Sequence, residues 1–246
     1  MKKIRLFFLI MCAMLPSSFL KNMVYQLVFG FKIGKKVKIH FGAVILADIV
    51  SIGNDTTIQA FSLIHSRNID IGSNSKIYRK CFIKGLSSFE IGNDVIFGAN
   101  TTVYARYKGV EYQKNWCNFK LGNKSVVSQN TMFDCTDNIS IGSNVVLGGG
   151  ATCFFTHGYD IQRNRVQGDI RINDDCYIGT RCIFCPGVYV TSGVLICPGT
   201  VVYKNIVEKG MYSSAQLVKI NDTTTFSKKN KILIANTPEP IWRIKE

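Results

Sequence analysis

Apolar residues recur along this chain at steps of six. Ile33, Ile39 and Ile45 open the series, followed by Ile52, Ile58 and Ile64, then Ile71, Ile77 and Ile83, then Ile91, Phe97 and Val103. Leu121, Val127 and Phe133 continue it, as do Ile141, Leu147 and Cys153, then Ile172, Ile178 and Phe184, and lastly Val190, Ile196 and Val202. Neither a helix of period 3.6 nor an indefinitely alternating strand produces such a step. A repeat of stacked units does, and a six-residue unit reads as a parallel β-helix. Each group of three anchors is one coil, so the solenoid has three sides, with coils about 4.7–4.9 Å apart.

Polar positions keep the same register. Gly follows the first anchor of a coil at Gly34, Gly53, Gly72, Gly92, Gly122 and Gly142, usually with Asn or Asp close behind. These glycines are expected to supply corners of positive φ. The fourth residue after an anchor is usually small, as at Thr56, Ser62, Ser75, Cys81, Thr101, Ser125, Cys176 and Cys182. The expected organisation is an all-β solenoid of about eight coils at 33–206, preceded by a helical segment at 1–32 and followed by a capping tail at 207–246, where the step fades.

The first segment differs in kind. Lys2, Lys3 and Arg5 precede an apolar run from Leu6 to Leu15 that Pro16 stops. About ten apolar residues are too few to cross a bilayer, which takes about 20. Ser17 or Ser18 can cap a second helix in which Leu20, Met23, Val24, Leu27 and Val28 share a face, with Gly30 as its stop. Residues 1–30 therefore suit a helix that caps the solenoid, a peripheral membrane contact on an anionic leaflet through Lys2, Lys3, Arg5 and Lys21, or both. A cleaved signal peptide over 1–18 is the competing reading.

Two insertions, 104–120 and 154–171, interrupt the coils, and both leave after a third anchor, hence along one edge of the prism. Their departure points are two coils, about 10 Å, apart. The first carries Tyr107 and Trp116 among basic residues, a composition that can stack on sugar and hold phosphate or pack against a neighbouring subunit. The second opens with Thr156, His157, Gly158, Tyr159 and Asp160. His40 and His65 directly follow anchors in regular coils and are expected to face solvent. His157, at the mouth of an insertion, is the candidate for chemistry.

Charge and cysteine narrow the partners. The net charge of +14 favours an anionic partner such as a phosphorylated coenzyme, a nucleotide sugar or a lipid surface, while no recognition motif supports nucleic acid. Most of the 9 cysteines fall on packing columns of the repeat, with no second pair to answer Cys182 and Cys185 at zinc spacing, so no metal is expected. A scattered set of free thiols fits a reducing cytosol.

The repeat resembles that of the hexapeptide-repeat acyltransferases, especially the sugar O-acetyltransferases that decorate capsule and lipopolysaccharide and the maltose and galactoside acetyltransferases. The resemblance rests on Thr156-His157, on Tyr177-Ile178-Gly179 followed by Pro186-Gly187-Val188, and on the closing run Gly199 to Lys204. It implies a left-handed β-helix, a closed homotrimer with sites between subunits, and acetyl-coenzyme A as acyl donor lying against Tyr177, Gly179, Thr180, Gly199 and Lys204. It also implies that His157 is the base and a glycan hydroxyl the acceptor. N-acetylation of an amino sugar is the near alternative, and a non-catalytic scaffold or a zinc enzyme with three converging histidines the more distant ones.

An imidazole with a pKa near 6.5 is suited to take a proton from a sugar hydroxyl at neutral pH, and such help is worth about 10²–10⁴-fold. A carboxylate should hold its other nitrogen. Asp137, four residues after Phe133 as His157 is four after Cys153, and Asp160 are the sequence candidates.

Overall fold

The computed structural model describes residues 3–105, 116–160, 163, 165–214, 218–221, 231–235 and 241–244. A three-sided parallel β-helix of about eight coils occupies most of them, as the six-residue step requires. Strands of the second side form one ladder of 10, and strands of the first and third sides belong to a sheet of 14. Those two sides are fused because Leu63–Ile71 and Phe82–Ile91 run from one to the other without a break.

Ladder pairing sets like above like. Ile58 lies against Ile77, Ile77 against Phe97 and Val127 against Leu147, each fully buried. An additional buried column, Val50, Ile69, Phe89, Phe119, Ile139 and Ile170, stands two positions before the first-side anchors. It was not legible as part of the six-residue step because it belongs to the longer third-to-first corner. Under the third side, Phe133, Phe154 and Phe184 stack face to face with centroids 4.7 and 4.5 Å apart. Pairs of this kind contribute about 0.5–1.5 kcal/mol beyond their area.

Two sequence expectations change here. Phe154, not Cys153, is the inward residue of its coil, pairing with Phe133 and Phe184, while Cys153 is only half-buried. One extra residue at the corner Gly148 to Thr152 causes the shift. The corner glycines also serve another purpose than positive φ. The non-glycine left-handed residues at the corners after the first anchors are Lys36, Asp55, Asn74, Asp94, Lys124, Asn144 and Asp175, three places after each anchor. At Gly122 a side chain would drive into the Gly142–Ser143 backbone of the next coil. The glycine is required there by close approach between coils.

Small polar residues turn each corner into a ladder. Thr56, Ser75 and Ser125 donate hydroxyl hydrogens to the carbonyls of Gly72, Gly92 and Gly142 at 2.7, 2.8 and 2.9 Å. Asn54, Asn93, Asn123 and Asp174 accept backbone N–H bonds from Lys35, Ser73, Asn93 and Ser143 through side-chain oxygens at 2.7–2.8 Å. The buried hydroxyls of Thr56, Ser75 and Ser125 are thus satisfied.

Helices α1 (Lys3–Ala13) and α2 (Ser18–Leu27) lie over the first coil. On α2 the polar residues point inward: Lys21 Nζ donates to His40 O at 2.6 Å, Asn22 to Val37 O at 2.8 Å and Gln26 to Ile33 O at 2.8 Å. The face of Leu20, Met23, Leu27 and Val28 is turned to solvent, while Val24 and the fully buried Tyr25 pack on the core. Lys21, read from sequence as a surface cation, is fully buried, and burial lowers its pKa. At the other end, Met211–Ser213 extends the second side beyond residue 206 before pairing antiparallel with Val218–Asn221.

Candidate active site at the third edge

The third side ends in the strands Thr102–Tyr104, Met132–Asp134 and Cys153–Phe155, which pair in that order. The first insertion leaves after the first of these and the second after the last, so the two share an edge two coils apart, as the spacing predicts. Their far ends also converge. Cys117, where the first insertion returns, lies within electrostatic reach of Asp137, Asp134 and of Arg165 in the second insertion, and burial with the carboxylates pushes its thiol up to about 11.

The second insertion begins as a short hairpin in which His157–Tyr159 pairs antiparallel with Arg165–Gln167. Its base is pinned by Gly168 N donating to Thr156 O at 2.9 Å. Gly168 also packs so closely on Gly187 of the following coil that a Cβ would stand 2.8 Å from the Gly187 Cα. The hairpin therefore leaves the prism at a defined angle, with His157 as its first residue.

His157 is brought against Asp134, the last residue of the strand one coil below. Nδ1 lies 2.6 Å from Oδ2. Nδ1 is buried and the side chain keeps 18% of its exposure, so Nε2 is the nitrogen presented outward. Asp134 is itself fixed: it is 1% exposed, and its Oδ1 accepts from Thr136 N at 3.2 Å and from Thr136 Oγ1 at 2.6 Å. Thr156 locks the two coils together, donating Oγ1–H to Asp134 O at 2.8 Å and accepting from Asp137 N at 2.8 Å.

Asp134 was missed because the carboxylate was sought by register from Cys153. With Phe154 as the true inward residue, Asp137 is displaced by one place relative to His157. The signal that could have found Asp134 was its position next to the anchor Phe133, at a strand end on the edge where both insertions leave. Asp137 spends Oδ1 on Asn138 N at 2.8 Å, and burial, with a smaller contribution from Asp169, raises its carboxyl. Asp160 is exposed further along the hairpin. Tyr159 is 69% exposed and meets the His157 ring edge to face at 6.0 Å. Trp116 is half-buried at the close of the first insertion, while Tyr107 lies outside the described residues.

The residues expected to line the donor site divide between two edges. Gly179, Thr180 and Gly199 stack at the second-to-third corner, where Gly199 N donates to Thr180 O at 2.8 Å. There Thr180 borders a depression of about 580 Å³ with Ser128, Gln129, Gly149, Arg181 and Pro198. Tyr177 is exposed on the adjoining second side. Lys204 belongs to the other edge, beyond Val202, which pairs with Phe184 and through it with Phe154. It thus stands on the His157 edge two coils along, about 10 Å by strand spacing, with Nζ 5.5 Å over the Tyr203 ring.

Among the described residues no group of three His, Cys, Asp or Glu side chains can hold a metal. His40 is exposed, as the sequence predicts. His65 is instead half-buried, and its pKa is lowered by burial first and then by Lys84. It lines a cavity of about 250 Å³ with Asp48, Ser66 and Arg67.

Comparison with known proteins agrees with the fold. Residues 169–204 match the family model of the hexapeptide repeat of succinyl-transferase. Over 109 residues the chain is 30% identical to the Bacillus subtilis (strain 168) protein named "Putative acetyltransferase YvoF", covering 42% of this chain and 62% of that one. LpxA of Bacteroides fragilis, a UDP-N-acetylglucosamine acyltransferase, superposes with a TM-score of 0.51 at 20% identity, over 74% of this chain and 65% of its own. The polysialic acid O-acetyltransferase OatWY aligns over 81% of this chain and 91% of its own, at 16% identity and a TM-score of 0.46. This chain therefore spans about three fifths of the length of YvoF and two thirds of that of LpxA. The six-residue register thus runs along the described coils with one extra residue at Gly148 to Thr152, and residues 169–204 match the family repeat.

Proposed function

We propose that the protein transfers an acetyl group from acetyl-coenzyme A to a sugar hydroxyl of a bacterial surface polysaccharide or of its lipid-linked precursor, which it would meet at the inner face of the cell membrane. The observation that carries this reading is the placement of His157, with one nitrogen against a buried, doubly hydrogen-bonded carboxylate and the other turned outward at the mouth of an insertion. That arrangement suits a general base. It is supported by the Thr-His and Gly179 to Lys204 motifs and by the acetyltransferase name of the relative YvoF.

In the reaction, Nε2 of His157 accepts the hydroxyl proton as the oxygen attacks the thioester carbonyl. The new C–O bond forms, the C–S bond breaks, and the proton held by the imidazolium passes to the departing thiolate. Developing charge on the carbonyl oxygen requires a backbone N–H donor nearby. Asp134 is assigned the part of holding Nδ1 and stabilising the imidazolium, the part that sequence reading sought in Asp137 or Asp160. Tyr159 and Trp116 offer faces on which a sugar ring can stack, with Tyr107 from the same insertion as a further candidate.

Lys204 is proposed to meet a phosphate of the coenzyme along the His157 edge, with Tyr177, Gly179, Thr180 and Gly199, which stand on another edge of the prism, reaching the coenzyme from a neighbouring subunit. Lys204→Glu should raise KM for acetyl-coenzyme A by roughly 10-fold, the scale of one charge-assisted contact, and leave KM for the glycan unchanged. A rise confined to the glycan would place the donor elsewhere. A closed trimer, which would let neighbouring subunits share these edges, is part of the same reading.

The test is coenzyme A thiol release from acetyl-coenzyme A with capsular and lipopolysaccharide oligosaccharides as acceptors, with particle mass read by light scattering. Acceptor-dependent release by a trimer is expected. No release and no calorimetric binding of acetyl-coenzyme A would overturn the activity, and an active monomer would overturn the assembly.

A further inference from the structure

Helix α2 departs from an ordinary surface helix, which buries an apolar stripe and shows a polar one, because apart from the buried Tyr25 and the half-buried Val24 its apolar residues face outward. On α2 the polar Lys21, Asn22 and Gln26 face the solenoid and bond its carbonyls, while Phe19, Met23 and Leu27 face outward, Phe19 at 75% and Leu27 at 78% exposure. On α1 the buried side is Leu9, Cys12 and Ala13, and the outward side is also apolar, with Phe7, Phe8 and Met11 all at least half exposed. Two adjacent helices thus present one apolar surface of the kind that soluble monomers seldom leave open.

Charge indicates what covers it. Residues 1–47 contain eight Lys and Arg, counting Lys2, Lys3, Arg5, Lys21, Lys32, Lys35, Lys36 and Lys38, and no Asp or Glu before Asp48. Lys21 is consumed inside, but Lys32, Lys35, Lys36 and Lys38 are exposed on the coil beneath the helices. Lys36 and Lys38 share a groove with Phe19, and the Lys36 side chain is 81% exposed although its amine comes within 4.0 Å of Asp55. Apolar side chains flanked by cations that outnumber the one acidic residue lining the groove, Asp55, match the interface of an anionic bilayer. Neither helix is long and apolar enough to cross one.

We propose that the outward face of α1 and α2 docks on an anionic lipid surface, its aromatic and aliphatic side chains entering the headgroup region while Lys32, Lys35, Lys36 and Lys38 meet lipid phosphates. This placement is independent of acyl transfer and stands or falls without it.

Co-sedimentation of the full chain with vesicles of phosphatidylglycerol and of phosphatidylcholine tests it. Binding is expected to the anionic vesicles, weakening severalfold as salt shortens the reach of surface charge to roughly 8 Å at physiological strength. The double variant Phe19→Glu/Leu27→Glu alters only exposed positions and should lower vesicle binding at least roughly 10-fold with the thermal midpoint unchanged. Lys36→Glu/Lys38→Glu should abolish the preference for anionic lipid. Failure of the native chain to bind either vesicle would overturn the proposal, as would equal binding by the Phe19 and Leu27 variant. A fall in particle mass caused by that variant, without vesicle binding by the native chain, would make the face a contact between copies instead.

Discussion

Replacing His157 by Ala should lower kcat by about 10²–10⁴-fold while KM for donor and acceptor stays within a fewfold, because the loss is of a proton acceptor needed only as the hydroxyl attacks. The fold should survive. His157 is partly exposed at the start of a hairpin whose pairing and base bonds are made by backbone atoms. His157→Gln is the sharper version, since an amide can still meet Asp134 yet cannot take the proton at neutral pH. Steady-state kinetics with melting curves on both variants decide the matter. Turnover within a fewfold of the parent, in protein that melts normally, would remove His157 from the chemistry.

Asp134→Asn should cost nearly as much, about 10²–10⁴-fold in kcat, for a different reason. The amide oxygen can go on accepting from Thr136 N and Oγ1, so the buried side chain keeps its bonds and its volume. Its NH₂ group then faces Nδ1 and donates to it, which moves the ring proton to Nε2, where it blocks the base. Asp134→Ala should add a loss of stability of about 1–3 kcal/mol, since Thr136, fully buried, would lose its acceptor. Parallel kinetics on Asp137→Asn and Asp160→Asn make the assignment exclusive. If either of those loses turnover while Asp134→Asn retains it, the orienting carboxylate is not Asp134.

Much of this was legible in the chain before any coordinates. A repeat of six is enforced by geometry, because every inward side chain must meet its equivalent one coil away, and this made Ile58, Ile77 and Phe97 visible as a column. The shared edge of the two insertions followed from the same counting, and His157 from its place at the mouth of one of them. What escaped depended on single-residue register and on side-chain direction. An extra residue between Gly148 and Thr152 turned Phe154 inward in place of Cys153, and that one step changed which carboxylate faces the imidazole. Gly122 showed the repeat's need for glycine but not its cause, since close approach and positive φ leave the same letter in the sequence. On α2, apolar spacing predicted a shared face but left open whether it turns toward the solenoid or away, which the bonds of Lys21, Asn22 and Gln26 to the first coil decide.

The bonds that α2 makes to the first coil also limit how the molecule can assemble. A parallel solenoid could lengthen indefinitely by laying another strand on its first rung, since that rung offers the same carbonyls that every inner rung offers its neighbour. Here Ile33 O, Val37 O and His40 O already receive Gln26, Asn22 and Lys21, and the aligned row that an incoming strand would need is no longer free. Three side chains on one helix thereby end the stack. Copies of this chain can meet side by side along their flat faces, but they are prevented from joining end to end into a fibre at this pole.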